Sequence, residues 1–234
     1  MADLADGVRR AVQLVLGLDA GLVHVVALSL AVSGSAALVA SVIGLPLGVV
    51  LAMVRFPGRG GVVLVANALL GLPPVVVGLV LYLLLSRAGP LGGLGLLFTP
   101  AAMVLAQTAL ALPILTALSH RTADRIWRTY GDDLRINGAA PWAAIRTVLA
   151  IGRTEMLTAV LAGFGRTISE VGAILVVGGN IAGHTRTMTT SIVLETSRGN
   201  FAFALALGGV LVAISLAVSA AAFAVNRRAA RALS

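Results

Sequence analysis

Long uncharged stretches dominate the chain and determine its predicted elements. Residues 20–54 and 60–86 contain no Asp, Glu, Lys or Arg, and a helix of about 20 apolar residues crosses a bilayer core of roughly 30 Å. Three more apolar stretches follow, so we predict five transmembrane helices at about residues 23–54, 61–86, 99–119, 156–177 and 201–225. The pattern indicates an all-α membrane protein with a membrane domain over residues 22–226 and a tail over residues 227–234.

Residues 1–21 show a different pattern, with apolar and polar positions on opposite helical faces. Val8, Val12 and Val15 recur at helical spacing, whereas Arg9 takes the other side. This predicts an amphipathic helix lying in the membrane interface. The alternative is a secretory signal, but the apolar stretch before Asp19 is short and acidic residues precede the arginines.

The distribution of arginine predicts the orientation. Eleven arginines fall in the connections and tail on one side of the five predicted spans, and five fall on the other. Cytoplasmic connections of membrane proteins carry the excess of basic residues. We therefore expect a multi-pass protein of the cell (inner) membrane with its N-terminus outside, and with residues 121–153 and the C-terminus in the cytoplasm.

Composition excludes several classes of protein. The chain is 59% hydrophobic and 11% charged, whereas soluble domains are roughly 25% charged. All 17 basic residues are arginine and cysteine is absent, which excludes zinc–thiolate sites, Cys nucleophiles, Schiff-base lysines and a lysine-dependent P-loop. Aromatic residues are only 4%, so the net charge of +8 does not indicate nucleic-acid binding. We expect no catalytic residue and no metal site.

Helix breakers fall inside three predicted spans, in Gly44-Leu45-Pro46-Leu47-Gly48, in Gly71-Leu72-Pro73-Pro74 and at Pro113. Proline is common in membrane helices, but two adjacent prolines remove backbone donors and disrupt the helix. Irregular backbone at membrane depth is tolerated where protein or a watery cavity surrounds it. We interpret Pro73 and Pro74 as a kink that lines a path across the membrane.

Two charged residues, Arg166 and Glu170, interrupt the predicted fourth span. Arg166 lies ten residues after Met156, about 15 Å along a helix and near the bilayer centre. A charge at that depth faces a cavity or a partner, and a spacing of four places the two side chains on one helical face. Two interpretations stay open: a structural ion pair between helices, or a cation beside the path of an anionic solute.

Residues 121–153 are long for a connection between spans. We predict one helix over residues 124–137, a break at Gly138, and a second helix from Pro141 to residue 150. The second helix presents an apolar face composed of Trp142, Ile145, Val148 and Leu149. This face is typical of a docking element for another protein; a solvated helix with local ion pairs is the alternative.

The predicted outer loop after the fourth span, residues 178–187, is rich in glycine and contains Asn180, Thr185 and Arg186. Backbone N–H groups of such loops can hold an oxyanion. These glycines follow a helix, however, and the negative end of its dipole disfavours an anion. We therefore favour a helix ended by glycine and followed by a polar loop.

The cytoplasmic segment resembles part of a known family. Permease subunits of binding-protein-dependent ABC importers carry a motif E-A-A-x-x-x-G, to which Asp132, Asp133, Leu134 and Gly138 correspond here, without the two alanines. The segment from Arg166 through Ser169 and Glu170 to residue 173 is similar to R-x-x-G-E-x-G-A of sulfate and molybdate permeases, with Ser169 replacing glycine. Pro73-Pro74-Val75-Val76-Val77-Gly78 resembles their L-P-P-x-V-x-G, and residues 165–200 are similar to tungstate-type permeases.

The resemblance implies a type-1 (MetI-like) permease fold with a cytoplasmic coupling helix. It implies a transport subunit that is no enzyme, that binds no cofactor, and that forms a homodimer in membrane lipid. Its other partners would be two cytoplasmic ABC ATPase subunits, which use ATP, and an extracytoplasmic oxyanion-binding protein. The implied cargo is an oxyanion, tungstate first, with molybdate and sulfate as alternatives.

The resemblance also implies roles for particular residues. It places ATPase coupling at Asp132, Asp133, Gly138, Ala139 and Trp142. It places the translocation path at Arg166, Ser169, Glu170, Pro73 and Pro74. Contact with the binding protein falls to Asn180, Thr185 and Arg186.

Other classes of protein fit less well. A secondary transporter would use Glu170 as a proton carrier and need no ATPase. An intramembrane hydrolase lacks a converging set of His, Asp and Ser residues in the spans. A passive scaffold leaves Arg166 at mid-membrane unexplained.

Overall fold

The computed structural model describes residues 2–232, with side chains over residues 7–227. Met1, residues 233–234 and the side chains of Arg228 and Arg231, which fall in the predicted interfacial helix and tail, lie outside the described part. All regular elements within it are helical: α1 (Ala2–Leu16), α2 (Ala20–Met53), α3 (Arg59–Ala68), α4 (Pro74–Leu85), α5 (Pro100–Ile136), α6 (Pro141–Ile151), α7 (Arg153–Ile168), α8 (Gly172–Gly178), α9 (Met188–Ser197) and α10 (Phe201–Ala232), with 3-10 turns at Leu69–Gly71 and Gly92–Leu94.

The chain forms two compact units. The first unit contains Met1–Ser35, Pro73–Gln107 and Gly165–Val218. The second unit contains Ala36–Leu72, Thr108–Phe164 and Ser219–Ser234. The long helices α2, α5 and α10 each contribute residues to both units, as does α7.

Three helices among the described residues are long and apolar enough to cross a membrane: α2, α5 and the part of α10 over Phe201–Arg227. Two interrupted pairs bring the number to five if each pair is one span. The first pair, Arg59–Gly71 with Pro74–Leu85, covers the residues of the predicted second span, is broken at the expected prolines and bends by 103°. The second, Pro141–Ile151 with Arg153–Ile168, bends by 76° and begins before the predicted fourth span.

Pro46 and Pro113 do not break their helices, because α2 and α5 continue through both prolines. In the second unit these two helices approach closely at Gly48 of α2. A Cβ at Gly48 would lie 2.6 Å from the Thr116 carbonyl oxygen. The Ser119 hydroxyl donates to the Leu45 carbonyl oxygen at 2.7 Å, so α5 supplies polar contacts around the α2 proline.

Helix ends follow local stereochemistry. Asp19 Oδ1 accepts the Leu22 N–H at 3.0 Å at the start of α2. Prolines occupy the first turns of α4 and α6. Gly138 and Gly179, which follow α5 and α8, adopt φ of 67° and 70°, values that favour glycine.

Candidate functional site

The predicted fourth span is broken next to its charged residues. It was expected as one helix over residues 156–177, but α7 ends at Ile168 and α8 begins at Gly172. Arg166 therefore lies in the last turn of α7, where a cation interacts favourably with the helix dipole. Glu170 lies in the break, so the expectation that both side chains share one helical face is wrong.

Glu170 nevertheless binds Arg166 and also begins the next helix. Its Oε2 lies 2.5 Å from Arg166 Nη1, and its Oε1 accepts the Ala173 N–H at 3.2 Å. A carboxylate at a helix N-terminus satisfies a free donor and complements the dipole. The Glu170 side chain is 4% exposed and that of Arg166 35% exposed. Glu170 is thus a buried cap for α8, whereas Arg166 keeps a solvent-accessible surface.

Side chains from other helices satisfy the carbonyl groups freed by the break. Gln107 Nε2 in α5 donates to the backbone carbonyl oxygen of Thr167 at 2.9 Å. The Thr189 hydroxyl in α9 donates to the backbone carbonyl oxygen of Glu170 at 2.8 Å. Both residues are buried. Sequence reasoning missed them, because a single Gln or Thr in an apolar helix carries no signal of its partner.

The second half of the predicted proline kink packs against the same region. Pro73 and Pro74 begin α4, and four residues later a Cβ at Gly78 would lie 2.9 Å from the Ala173 Cα. Gly172 similarly leaves room for Val75, whose Cγ2 would lie 2.7 Å from an added Cβ. Close approach of the two helices therefore depends on glycine at both positions.

Ser169, the remaining predicted path residue, is exposed beside the break. Its hydroxyl donates to the Gly165 carbonyl oxygen at 2.9 Å. The first unit thus brings together Arg166, Ser169 and Glu170, with α4 after Pro74 packed on α8. What the arrangement offers chemically is a partly exposed guanidinium; the Ser169 hydroxyl is bonded to backbone carbonyl oxygens of Gly165 and Arg166.

The predicted outer loop is held by hydrogen bonds of its own side chains and leads into a helix that was not predicted. The Thr185 hydroxyl donates to the Gly178 oxygen at 2.5 Å and accepts the Ile181 N–H at 2.9 Å. Thr185 is 1% exposed, so its side chain stabilises the loop and is not available to a partner. Arg186 Nη2 donates to the Asn180 oxygen at 3.3 Å, and both of these residues are half-buried.

The unpredicted helix α9 begins with a capping box formed by Thr187 and Thr190. Its buried face is polar as well as apolar, including Ser191 and Glu195. The Met188 N–H donates to the Ser29 hydroxyl at 2.7 Å. Because several buried positions of α9 are polar, its sequence lacks the periodic pattern of apolar residues from which a helix is predicted.

In the second unit, the predicted coupling segment continues directly from a long helix. The third span and the expected helix over residues 124–137 form one helix, α5, which ends at Ile136. The Gly138 N–H donates to the Arg135 oxygen and the Ala139 N–H to the Leu134 oxygen, both at 3.0 Å. These bonds end α5 in a tight turn, as the sequence predicts.

The exposed part of this segment differs from the predicted face. Val148 is fully buried, and Ile145 and Leu149 pack on the same core, which also contains Val49 and Met156. The prediction that these three α6 side chains are free for docking is therefore wrong, because the second unit uses them for its own core.

The surface that remains contains Asp132, Asp133, Gly138 and Trp142, with Ala139 half-buried. Trp142 is 64% exposed and the missed residue Ile136 is 83% exposed. We call Asp132, Asp133, Ile136, Gly138 and Trp142 the docking surface. It combines two large apolar side chains with two carboxylates.

No three His, Asp or Glu side chains among the described residues lie close enough together to hold a metal ion.

Comparison with known proteins relates the chain to transport subunits. No family model matches it. The chain is 42% identical over 204 residues, 85% of its own length and 88% of the relative's, to the probable anion ABC transporter permease protein of Haloferax volcanii. It is 37% identical over 227 residues, 94% and 96% of the two chains, to the tungstate uptake system permease protein of Peptoclostridium acidaminophilum.

A molybdenum transport system permease protein from Azotobacter vinelandii is more distant, at 32% identity over 185 residues, 76% of this chain and 82% of the relative. Similarity therefore extends over most of each chain and includes both units. Together with the apolar helices, it identifies a multi-pass membrane protein. The chain belongs to the family of ABC transporter permease subunits.

Proposed function

We propose that this chain is the membrane-spanning subunit of an ATP-driven importer for a tetrahedral oxyanion, with tungstate as the first candidate. The main support is the name of the Peptoclostridium relative, which aligns over 94% of this chain. Relatives named for molybdenum and sulfate transport are 30–35% identical over about three quarters of the chain. Molybdate and sulfate are therefore the alternatives.

The subunit itself is no enzyme in this proposal. ATP hydrolysis belongs to two separate cytoplasmic ATPase subunits, and an extracytoplasmic binding protein delivers the anion. Two copies of the chain form the membrane part in lipid. The exposed Trp142 and Ile136, flanked by Asp132 and Asp133, are the kind of mixed apolar and acidic surface that a partner groove can bury.

The proposed topology is the type-1 (MetI-like) arrangement with five crossings. These are α2, the pair α3 and α4, the first part of α5, α7 together with α8, and α10. The fourth crossing keeps the predicted residues 156–177, so that α6 lies outside the crossings in this proposal. The N-terminus is outside, so that the docking surface and the C-terminus are cytoplasmic. The arginine excess in residues 121–153 supports this orientation.

Arg166 is the proposed cation of the path. Among the described residues its guanidinium has one hydrogen bond, from Nη1 to Glu170, and it is 35% exposed. A partly neutralised guanidinium attracts a dianion without holding it as tightly as a free one. Ser169, three residues later and exposed, is the proposed hydroxyl of the path. Asn180 and Arg186 of the outer loop remain proposed contacts for the binding protein.

A proton-coupled secondary transporter is the second candidate, with Glu170 as the proton carrier. Both carboxylate oxygens of Glu170 already accept hydrogen bonds, from Arg166 and from the Ala173 N–H. Protonation of Glu170 would remove the negative charge that binds Arg166 and would weaken the cap on α8. The geometry therefore favours the importer.

The test is co-purification followed by transport. The tagged chain, isolated in mild detergent from its own host, should retain an ATPase subunit in a one-to-one ratio. Proteoliposomes containing this complex and the binding protein should accumulate tungstate only with ATP, and molybdate and sulfate serve as competing anions. Uptake driven by a proton gradient without an ATPase would contradict the proposal.

A further inference from the structure

Arg59, the first residue of α3, places its side chain against the C-terminal end of α2. The last turn of a helix leaves carbonyl oxygens without helical partners. Val50 finds a partner in the Val54 N–H at 2.9 Å. The oxygens of Leu51 and Ala52 instead accept the guanidinium of Arg59, from Nε at 2.6 Å and from Nη2 at 3.5 Å. Arg59 therefore caps α2 with a positive charge, which the helix dipole favours.

The same guanidinium also reaches α5. Arg59 Nη2 lies 3.3 Å from Asp124 Oδ1 and 3.3 Å from His120 Nε2. The other oxygen of Asp124 accepts Arg128 Nη2 at 2.7 Å. The side chains of Arg59 and Asp124 are 30% and 26% exposed, so salt screens this pair less than a fully exposed one.

This contact lies on the helix that carries the docking surface. Asp124 precedes Ile136 on α5 by about 18 Å of axial rise. Buried side chains of α2 and α5, Ala52 and Ile126 among them, pack in one core of the second unit beside it. Apolar packing alone permits small sliding of one helix on another, whereas a multidentate guanidinium restricts it.

We propose that Arg59 is a positioning residue for energy coupling. It fastens the end of α2 to α5, so that displacement of the docking surface moves the membrane-spanning helix α2 with it. This role rests on the proposed function, because coupling requires an ATPase partner. Arg59 is distinguished from Arg55 of the same connection, which is exposed and has no hydrogen bond or ion pair to the described residues.

The experiment uses the complete complex in proteoliposomes, with tungstate as the transported probe, and measures tungstate uptake per ATP hydrolysed. Arg59→Gln should lower this ratio by about tenfold or more, because it removes the ion pair with Asp124 as well as the bonds to the carbonyl groups of α2. Arg59→Lys keeps the charge but cannot reach both carbonyl groups and Asp124 together, so its uptake per ATP should lie between those of the wild type and Arg59→Gln. Arg55→Gln, the control with the same charge change, should match the wild type.

Asp124→Asn is the second variant. It leaves the cap on α2 intact and weakens the link from Arg59 to α5, together with the exposed pair of Asp124 with Arg128 inside α5, so it should also lower the ratio. An unchanged ratio in both variants, or an equal loss of uptake and hydrolysis as expected from impaired folding, would overturn the proposal for Arg59. If the wild-type complex shows no ATP-dependent uptake of tungstate, molybdate or sulfate, the proposed function itself fails, which is a different result.

Discussion

Arg166 and Glu170 form an ion pair across the end of a helix, with Nη1 2.5 Å from Oε2, although only Arg166 is helical. The chain leaves the helical path after Ile168 and turns the Glu170 carboxylate back toward the guanidinium. The same carboxylate then begins α8 through the Ala173 N–H. One acidic residue thus stabilises the end of one helix and the start of the next.

A double-mutant cycle separates the two interpretations of this pair. Arg166→Ala leaves a buried charge on Glu170 and should cost about 3–5 kcal/mol of stability. Combining it with Glu170→Gln removes that charge and should restore most of the melting temperature in detergent. We expect oxyanion uptake to stay low in the double variant, because the cation is still missing. Restored uptake would make the pair purely structural.

Gly78 tests the packing of α4 on α8. A Cβ there meets Ala173 backbone atoms at 2.9 and 3.0 Å, and backbone cannot move aside as a flexible side chain can. Gly78→Ala should therefore destabilise the protein by about 1–3 kcal/mol. The control is Gly208→Ala in α10, where an added Cβ has open space and helix propensity improves by about 0.5–1 kcal/mol. Equal melting temperatures for the two variants would contradict the packing described.

Gly138 tests the turn that presents the docking surface. Its φ of +67° is incompatible with proline, which requires about −65° and removes the N–H that bonds Arg135. Gly138→Pro should leave dimerisation intact and abolish ATP-driven uptake. Gly138→Asn is the control, because asparagine tolerates this conformation, and it should keep most of the uptake. Normal uptake in the proline variant would exclude a coupling role for the turn.

Trp142 and Val148 lie on one helix but should respond differently to truncation. Trp142→Ala removes an exposed side chain, so it should weaken ATPase binding in pull-down experiments without lowering the melting temperature. Val148→Ala removes two buried methyl groups and should cost about 2 kcal/mol of stability. A loss of stability with Trp142→Ala, or undiminished ATPase binding, would place the docking surface elsewhere.

The positions predicted well are those where a single residue dictates the backbone. Gly138 ends α5 and Pro141 begins α6, because positive φ and a missing N–H are local properties. The length of α2 could also be predicted, because a membrane-spanning helix is recognised from a long uninterrupted run of apolar residues alone. Pro46, unlike Pro73 and Pro74, does not interrupt its predicted span, because α2 continues where α5 packs against it.

The break after Ile168 shows what local sequence cannot determine. Ser169, Glu170 and Val171 include neither Gly nor Pro, and the break depends on Gln107 and Thr189, which are distant in sequence and supply hydrogen bonds. The docking surface could not be predicted in full for the same reason. Val148 and Trp142 are both apolar residues of the helix predicted from Pro141, and only packing within the second unit determines which of them is buried.

The central claim, that the docking surface is cytoplasmic and contacts an ATPase, can be tested directly because the chain contains no cysteine. Asp132→Cys introduces one thiol at a side chain that is 90% exposed, and Val193→Cys in α9 is the control with an exposed side chain. In intact cells, a membrane-impermeant thiol reagent should label position 193 but not position 132. A short thiol-to-amine cross-linker should join only position 132 to the ATPase in the complex. Labelling of position 132 from outside, or the absence of its cross-link in an active complex, would contradict the account.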